Sequence, residues 1–111
     1  LQILAEEPAN INARGFGQKT ALHFAVENRN IHLACLLVEL DSLDPNICDD
    51  QGWTALSNTA GQGDLRMLEL LLTRTELDLN VSHAAPIYLA AERGHLEVVC
   101  RLVSLQKVDI Y

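Results

Sequence analysis

Thr20-Ala21-Leu22-His23-Phe24-Ala25-Val26-Glu27-Asn28-Arg29-Asn30 decides the fold, because the chain repeats it. Thr54-Ala55-Leu56-Ser57 returns thirty-four residues later, and Ala85-Pro86-Ile87-Tyr88, more weakly, thirty-one residues after that. Nine residues beyond each start stand Arg29, Gly63 and Gly94. An apolar run follows each time, over 31–38, 65–72 and 96–103. Each unit closes on an aspartate twenty-four residues after its start: Asp44, Asp78 and Asp109. A fixed offset in three units is an internal repeat, and periods of this length belong to arrays of stacked supersecondary units.

One unit is legible from elementary chemistry. A threonine before an apolar run is a helix N-cap whose hydroxyl accepts from a free first-turn amide, which places helix starts after Thr20 and Thr54. Pro86 suits a first helical position, where the missing amide has no partner to lose. Leu22, Phe24, Ala25 and Val26 give the first short helix an apolar side. Gly63 and Gly94 suit the left-handed residue that ends such a helix. At the same place Arg29 either takes a positive φ or shifts the turn to Asn30. The second apolar run makes a partner helix, and Asn46 and Asn80 lead into turn-rich loops, notably Asn46-Ile47-Cys48-Asp49-Asp50-Gln51-Gly52-Trp53. Each unit is therefore helix, tight turn, helix, loop. Helices this short are marginal alone and must stack on neighbours, giving a solenoid with a continuous core. Leu22, Leu56 and Ile87 are the expected inner anchors; Leu36/Leu37, Leu70/Leu71 and Leu102/Val103 are the outer ones.

Composition narrows the function classes. With 111 residues, 49% of them apolar, the chain is one domain or a piece of one with a real core. Eight basic against fifteen acidic residues give a formal charge of −7. That argues against nucleic acid and anionic membranes, which are met with positive charge. No apolar run is long enough to span a bilayer, and Leu1 to Pro8 lacks the basic and apolar regions of a signal peptide. Cys35, Cys48 and Cys100 are odd in number and widely spaced, which fits reduced thiols and an intracellular, for example cytoplasmic, location better than a disulfide framework.

These motifs resemble the ankyrin repeat family over nearly the whole chain. The resemblance rests on Thr20-Ala21-Leu22-His23, on Ala90-Ala91-Glu92-Arg93-Gly94-His95-Leu96-Glu97-Val98-Val99, and on Asn46, Asp49, Gly52 and Thr54 in the loop between units. It implies an all-α solenoid of stacked helix-turn-helix repeats with β-hairpin finger loops. The expected organisation is the end of a preceding repeat over 1–12, repeats over 13–46 and 47–80, and a repeat with a shortened finger over 81–111. Departures from the family are Gly15, Gly17 and Gln18 in the first finger, only Val81 to Ala84 in the third, Arg29 at a turn glycine, and Ser57-Asn58-Thr59, whose polar groups need partners if buried. Neither Leu1 nor Tyr111 reads as part of a polar cap, so the expectation is a portion of a longer array or multidomain protein.

A search for chemistry returns structural readings. His23 is expected to bond Thr20 and nearby backbone; His95 occupies the family's helix-start position. His83 completes no set. His32 and Cys35, three apart on one helix, lack the further ligands a zinc site needs. Cys100 reads as a partly covered small residue. Gly61-Gln62-Gly63 ends a helix rather than opening a phosphate loop. Glu6-Glu7 and Asp49-Asp50 read as solvated loop charges, with Asp50 able to brace its hairpin. No catalytic residue, cofactor or metal site is expected. What remains is a surface. The resemblance implies a non-catalytic module that binds a partner protein through finger tips and the exposed side of the inner helices: Phe16, Gly17 and Lys19; Asp50, Gln51 and Trp53; Glu27 and Asn28; Gly61 and Gln62; Glu92 and Arg93. Phe16 and Trp53 lead, because exposed aromatics concentrate interface energy; the plainer reading of Trp53 is that it covers its own finger. A regulatory or targeting arm of a larger enzyme, channel or effector is the alternative, and a structural spacer a third reading.

Overall fold

The computed structural model describes residues 11–74, 77–79 and 85–110, with side chains up to residue 105. The expectations for residues 1–10, Asn80, the shortened finger at 81–84 with His83, and Tyr111 lie outside these residues. The described part holds six α-helices: α1 (Ala21–Glu27), α2 (Ile31–Val38), α3 (Ala55–Gln62), α4 (Leu65–Leu71), α5 (Pro86–Glu92) and α6 (Leu96–Ile110). Each odd-numbered helix pairs with the next. The inner helices α1, α3 and α5 pack in one row, and α2, α4 and α6 form a second row behind them.

The helix starts follow the sequence. Thr20 and Thr54 accept from the amides of His23 and Ser57. Asn30 and Asp64 do the same for Leu33 and Met67 at the outer helices. Helix α5 starts with Pro86 in its first turn and no side-chain cap. Gly63 and Gly94 end their helices at φ 72° and 76°. Arg29 takes the positive φ itself, at 55°, so the turn has not shifted. The third outer helix runs on to Ile110, past the point where α2 and α4 stop.

Among the described residues there is no strand. The fingers close through isolated backbone bonds, Gly15 N–H to Lys19 O at 2.8 Å and Asp49 N–H to Trp53 O at 2.8 Å. Positive φ at Gly17, Gln18 and Gly52 marks the turns, and Phe16–Gln18 forms a 3-10 turn.

Burial follows the stacking. Leu22, Ala25, Val26, Leu56 and Ala60 of the inner row, and Ala34, Leu37, Met67, Leu68, Leu71, Val98 and Leu102 of the outer row, are all enclosed. Five expected core positions differ. Phe24, Leu36 and Val103 lie on the open sides of their helices, Leu70 is half-buried, and Ile87 is only half-buried because no further described helix covers it. The polar run Ser57-Asn58-Thr59 is satisfied locally: Ser57 Oγ meets Thr54 Oγ1 at 3.1 Å, Thr59 donates to Ala55 O at 2.9 Å, and Asn58 donates to Thr54 O at 3.4 Å.

Side chains also join one repeat to the next. Asn12 Oδ1 accepts from the Asp44 amide at 2.9 Å, and Asn46 Oδ1 accepts from the Asp78 amide at 2.8 Å. Arg74 donates to Val38 O, Leu40 O and Leu43 O at 3.0–3.2 Å, satisfying carbonyls at and beyond the end of α2. Glu69 and Arg101 form a two-pronged pair between α4 and α6 (2.6 and 3.1 Å), and the guanidinium holds the Glu69 carboxyl below its ordinary range. The pair is exposed, so it sets register more than stability.

Two outcomes follow for stability. Leu56→Ala should cost roughly 2–5 kcal/mol in denaturant unfolding, whereas Leu36→Ala should cost well under half of that. Arg29→Gly should raise stability by about 1 kcal/mol, because glycine removes the left-handed strain; an unchanged or lowered melting temperature would show that the arginine side chain compensates it.

Candidate partner-binding face

The fingers and the inner row meet along one side of the molecule, and its geometry starts at the finger bases. His23 lies under the second finger. Its Nδ1 accepts from the Thr20 amide at 3.1 Å and lies 2.9 Å from Thr20 Oγ1. A nitrogen that accepts from an amide carries no proton, so Nε2 is the protonated nitrogen and donates to Trp53 O at 2.9 Å. The structural reading of His23 therefore extends across repeats: it ties the base of finger two to α1. His95 likewise donates through Nε2 to Gly61 O at 3.0 Å. A methyl group on Gly63 would fall 2.4 Å from the His95 ring, so this close approach admits only glycine.

Asp49, read from sequence as a solvated charge, is buried and braces the finger that Asp50 was expected to brace. Its Oδ1 accepts from the amides of Gln51 and Trp53, both at 2.9 Å, and its carbonyl accepts from Gly52 at 3.0 Å. An aspartate accepting two amides of its own turn is a side-chain mimic of a backbone turn. Asp50 is exposed and uses only its amide, which donates to Gly17 O at 3.0 Å and so joins the two finger tips.

The remaining expected contact residues fall into distinct environments. Phe16 is 90% exposed at the first tip. Lys19 forms a 2.7 Å ion pair with Glu27 and lies over the Phe24 ring, 5.9 Å from its centre. The hydrogen-bonded Glu27 carboxylate raises the Lys19 ammonium above its ordinary pKa, against desolvation and with smaller help from Asp49 and Asp50. Gln51, Asn28 and Glu92 are exposed. Gln62 reaches back to Glu27 O at 3.5 Å, and its Oε1 is enclosed without a hydrogen-bond partner. Arg93 repeats that reach one unit later, donating to Gly61 O at 3.4 Å. Trp53 is half-buried and covered by that same arginine, whose guanidinium carbon lies 5.6 Å from the indole centre. Trp53 thus packs against the following repeat and not only across its own finger.

Sequence reading missed Phe24 as part of this face, because a phenylalanine inside an apolar run reads as core. Cys100 is exposed rather than partly covered, on a groove of about 430 Å³ between α4 and α6. No group of three metal-ligating side chains is assembled among the described residues. No helix is long and apolar enough to cross a membrane among those residues.

Three stacked helix pairs, glycine-ended inner helices and finger loops identify the family once its model is applied. The model for ankyrin repeats (3 copies) matches residues 22–111. The chain belongs to the ankyrin repeat family. It is similar to SMC5-SMC6 complex localization factor protein 1 of Homo sapiens, 32% identical over 92 residues, which cover 80% of this chain and 9% of that protein. It is also similar to the NAD-dependent deacetylase sir2B of Dictyostelium discoideum, 28% identical over 102 residues, 88% of this chain and 13% of that one. A third likeness is to 26S proteasome non-ATPase regulatory subunit 10 of the same organism, 36% identical over 55 residues, half of this chain and 24% of that subunit. The chain thus spans a small part of each relative's length.

The brace at the second finger yields a direct test. Asp49→Ala leaves the Gln51 and Trp53 amides without their acceptor and should cost roughly 1–3 kcal/mol, while Asp50→Ala should be nearly neutral; equal effects in chemical unfolding would refute the division between them.

Proposed function

We propose that this ankyrin domain is a non-catalytic protein-interaction module that grips a partner protein with its finger tips and inner-helix face. The observation that carries the reading is Phe16, a large aromatic ring 90% exposed on a tip joined to its neighbour by a backbone bond. An exposed ring on a braced loop suits binding: it offers area to desolvate while little loop freedom is lost on contact. The histidines at the face favour the same reading, since His23 and His95 are committed to inter-repeat bonds to Trp53 O and Gly61 O. We also assign it no cofactor and no nucleic-acid role, in line with the −7 charge, and an intracellular setting, in line with three unpaired thiols.

The second reading, a regulatory or targeting arm within a larger protein, is favoured by one specific finding: the chain corresponds to 9% and 13% of the lengths of two relatives named for complex localisation and deacetylation. The two readings share the same face and differ in what the arm delivers.

Partner capture with the whole chain, repeated with variants, tests the proposal. Phe16→Ala should weaken binding by more than about 1 kcal/mol and leave the thermal melt unchanged. Trp53→Ala should weaken it at least as much, with a small loss of stability from the uncovered Arg93. Undiminished capture by both variants would remove the face from the interaction; a melt that falls in step with affinity for Trp53→Ala would make that residue structural.

A further inference from the structure

The three inner helices carry Glu27, Gly61 and Glu92 at one repeat position. In the first repeat that glutamate takes the nearby cation, Lys19, at 2.7 Å. In the second repeat the position is glycine, and the cation that comes to it, Arg93, finds a carbonyl and an aromatic ring instead of a carboxylate. The fit is close: a methyl group on Gly61 would lie 3.3 Å from Arg93 Nη1 and 3.8 Å from the Trp53 ring. Arg93 is exposed, and among the described residues it makes no ion pair, not even with adjacent Glu92. The Trp53 indole N–H also has no hydrogen-bond partner among the described residues. A guanidinium lying over an indole, with one nitrogen tied down and its other N–H groups unspent, is a preoriented fork for a planar carboxylate.

We propose that the Trp53–Arg93 pair receives an aspartate or glutamate side chain from an extended acidic segment of the partner protein. The incoming carboxylate supplies from outside the anion that Gly61 lacks. The inference rests on the interaction-module reading and names the partner chemistry at its second repeat. Charge complementarity decides the occupant: Lys19 and Arg101 already hold the carboxylates of Glu27 and Glu69, whereas Arg93 holds none. The chain's net charge of −7 opposes an acidic partner at long range, so selectivity must come from the short-range fork.

Trp53 is the single tryptophan of the chain, so its fluorescence reports occupancy of this site directly. The whole chain is used to select binders from a displayed library of short random peptides, and the selected peptides are synthesised and titrated. Selected peptides should share one Asp or Glu. They should shift Trp53 emission and bind at least about tenfold more weakly when that residue is changed to its amide. Arg93→Gln should bind acid and amide forms alike. Gly61→Glu, which places a carboxylate beside Arg93 within the chain, should lose the acid preference too; thermal melts of both variants verify folding. Selected peptides without an acidic residue, an acid preference that survives Arg93→Gln, or unchanged Trp53 emission would each overturn the proposal. Binding that shifts Trp53 without acid preference sinks this inference and leaves the module reading standing. Failure to select any peptide sinks it as well, and the module reading then stands or falls on partner capture.

Discussion

Coverage of one short helix pair by the next is the constraint on which everything else depends. Helices of seven or eight residues hold too few internal hydrogen bonds to persist alone in water. They persist here because Leu22, Leu56, Leu37, Leu68 and Leu71 are excluded from solvent by neighbouring pairs. Such coverage is non-directional and would tolerate sliding. Register is supplied by directional bonds that span a whole repeat: Asn12 to Asp44, Asn46 to Asp78, His23 to Trp53, Arg74 to three carbonyls of the preceding unit. Apolar burial holds the array together, and a sparse set of polar bonds fixes where each unit sits.

That division explains what was legible in the sequence. The helix pairs were legible because each rests on a repeated local signal: Thr20 and Thr54 as caps, Gly63 and Gly94 as stops, leucines at constant offsets. The finger geometry was not. A hairpin and an Asx-braced turn share the same residues, and only the acceptor geometry of Asp49 distinguishes them. Arg74 was also hidden, since Leu40 and Leu105 hold its position in the other repeats and nothing periodic marks it. The asparagines did carry a signal, recurring with the repeat, but recurrence alone does not reveal that the bond crosses units.

For the face, exposure was harder to read than position. Phe16 between two glycines was recognisable as a tip, and its ring is open. Trp53, Gln62 and Arg93 were expected on the open inner side, and the structure engages each with an adjacent repeat. Contacts more than thirty residues apart depend on which side chain is long enough to bridge two units. A single sequence states the residue at each end and not the span between them. The same effect made Phe24 look like core: its helix has an apolar side, and only the pairing decides on which side of that boundary the ring falls.

Coverage is also unequal along the array. Positions enclosed in the first two repeats open up in the third: Val26 and Ala60 are sealed while Ala91 is exposed, and Leu22 and Leu56 are sealed while Ile87 is half-buried. In a nearest-neighbour array, stability follows the number of covered interfaces. The middle repeat, packed on both sides, is then the most rigid of the three. Its finger carries the Asp49 brace, the His23 tie and the Trp53 ring under Arg93. The second finger therefore sits where the scaffold holds it most firmly.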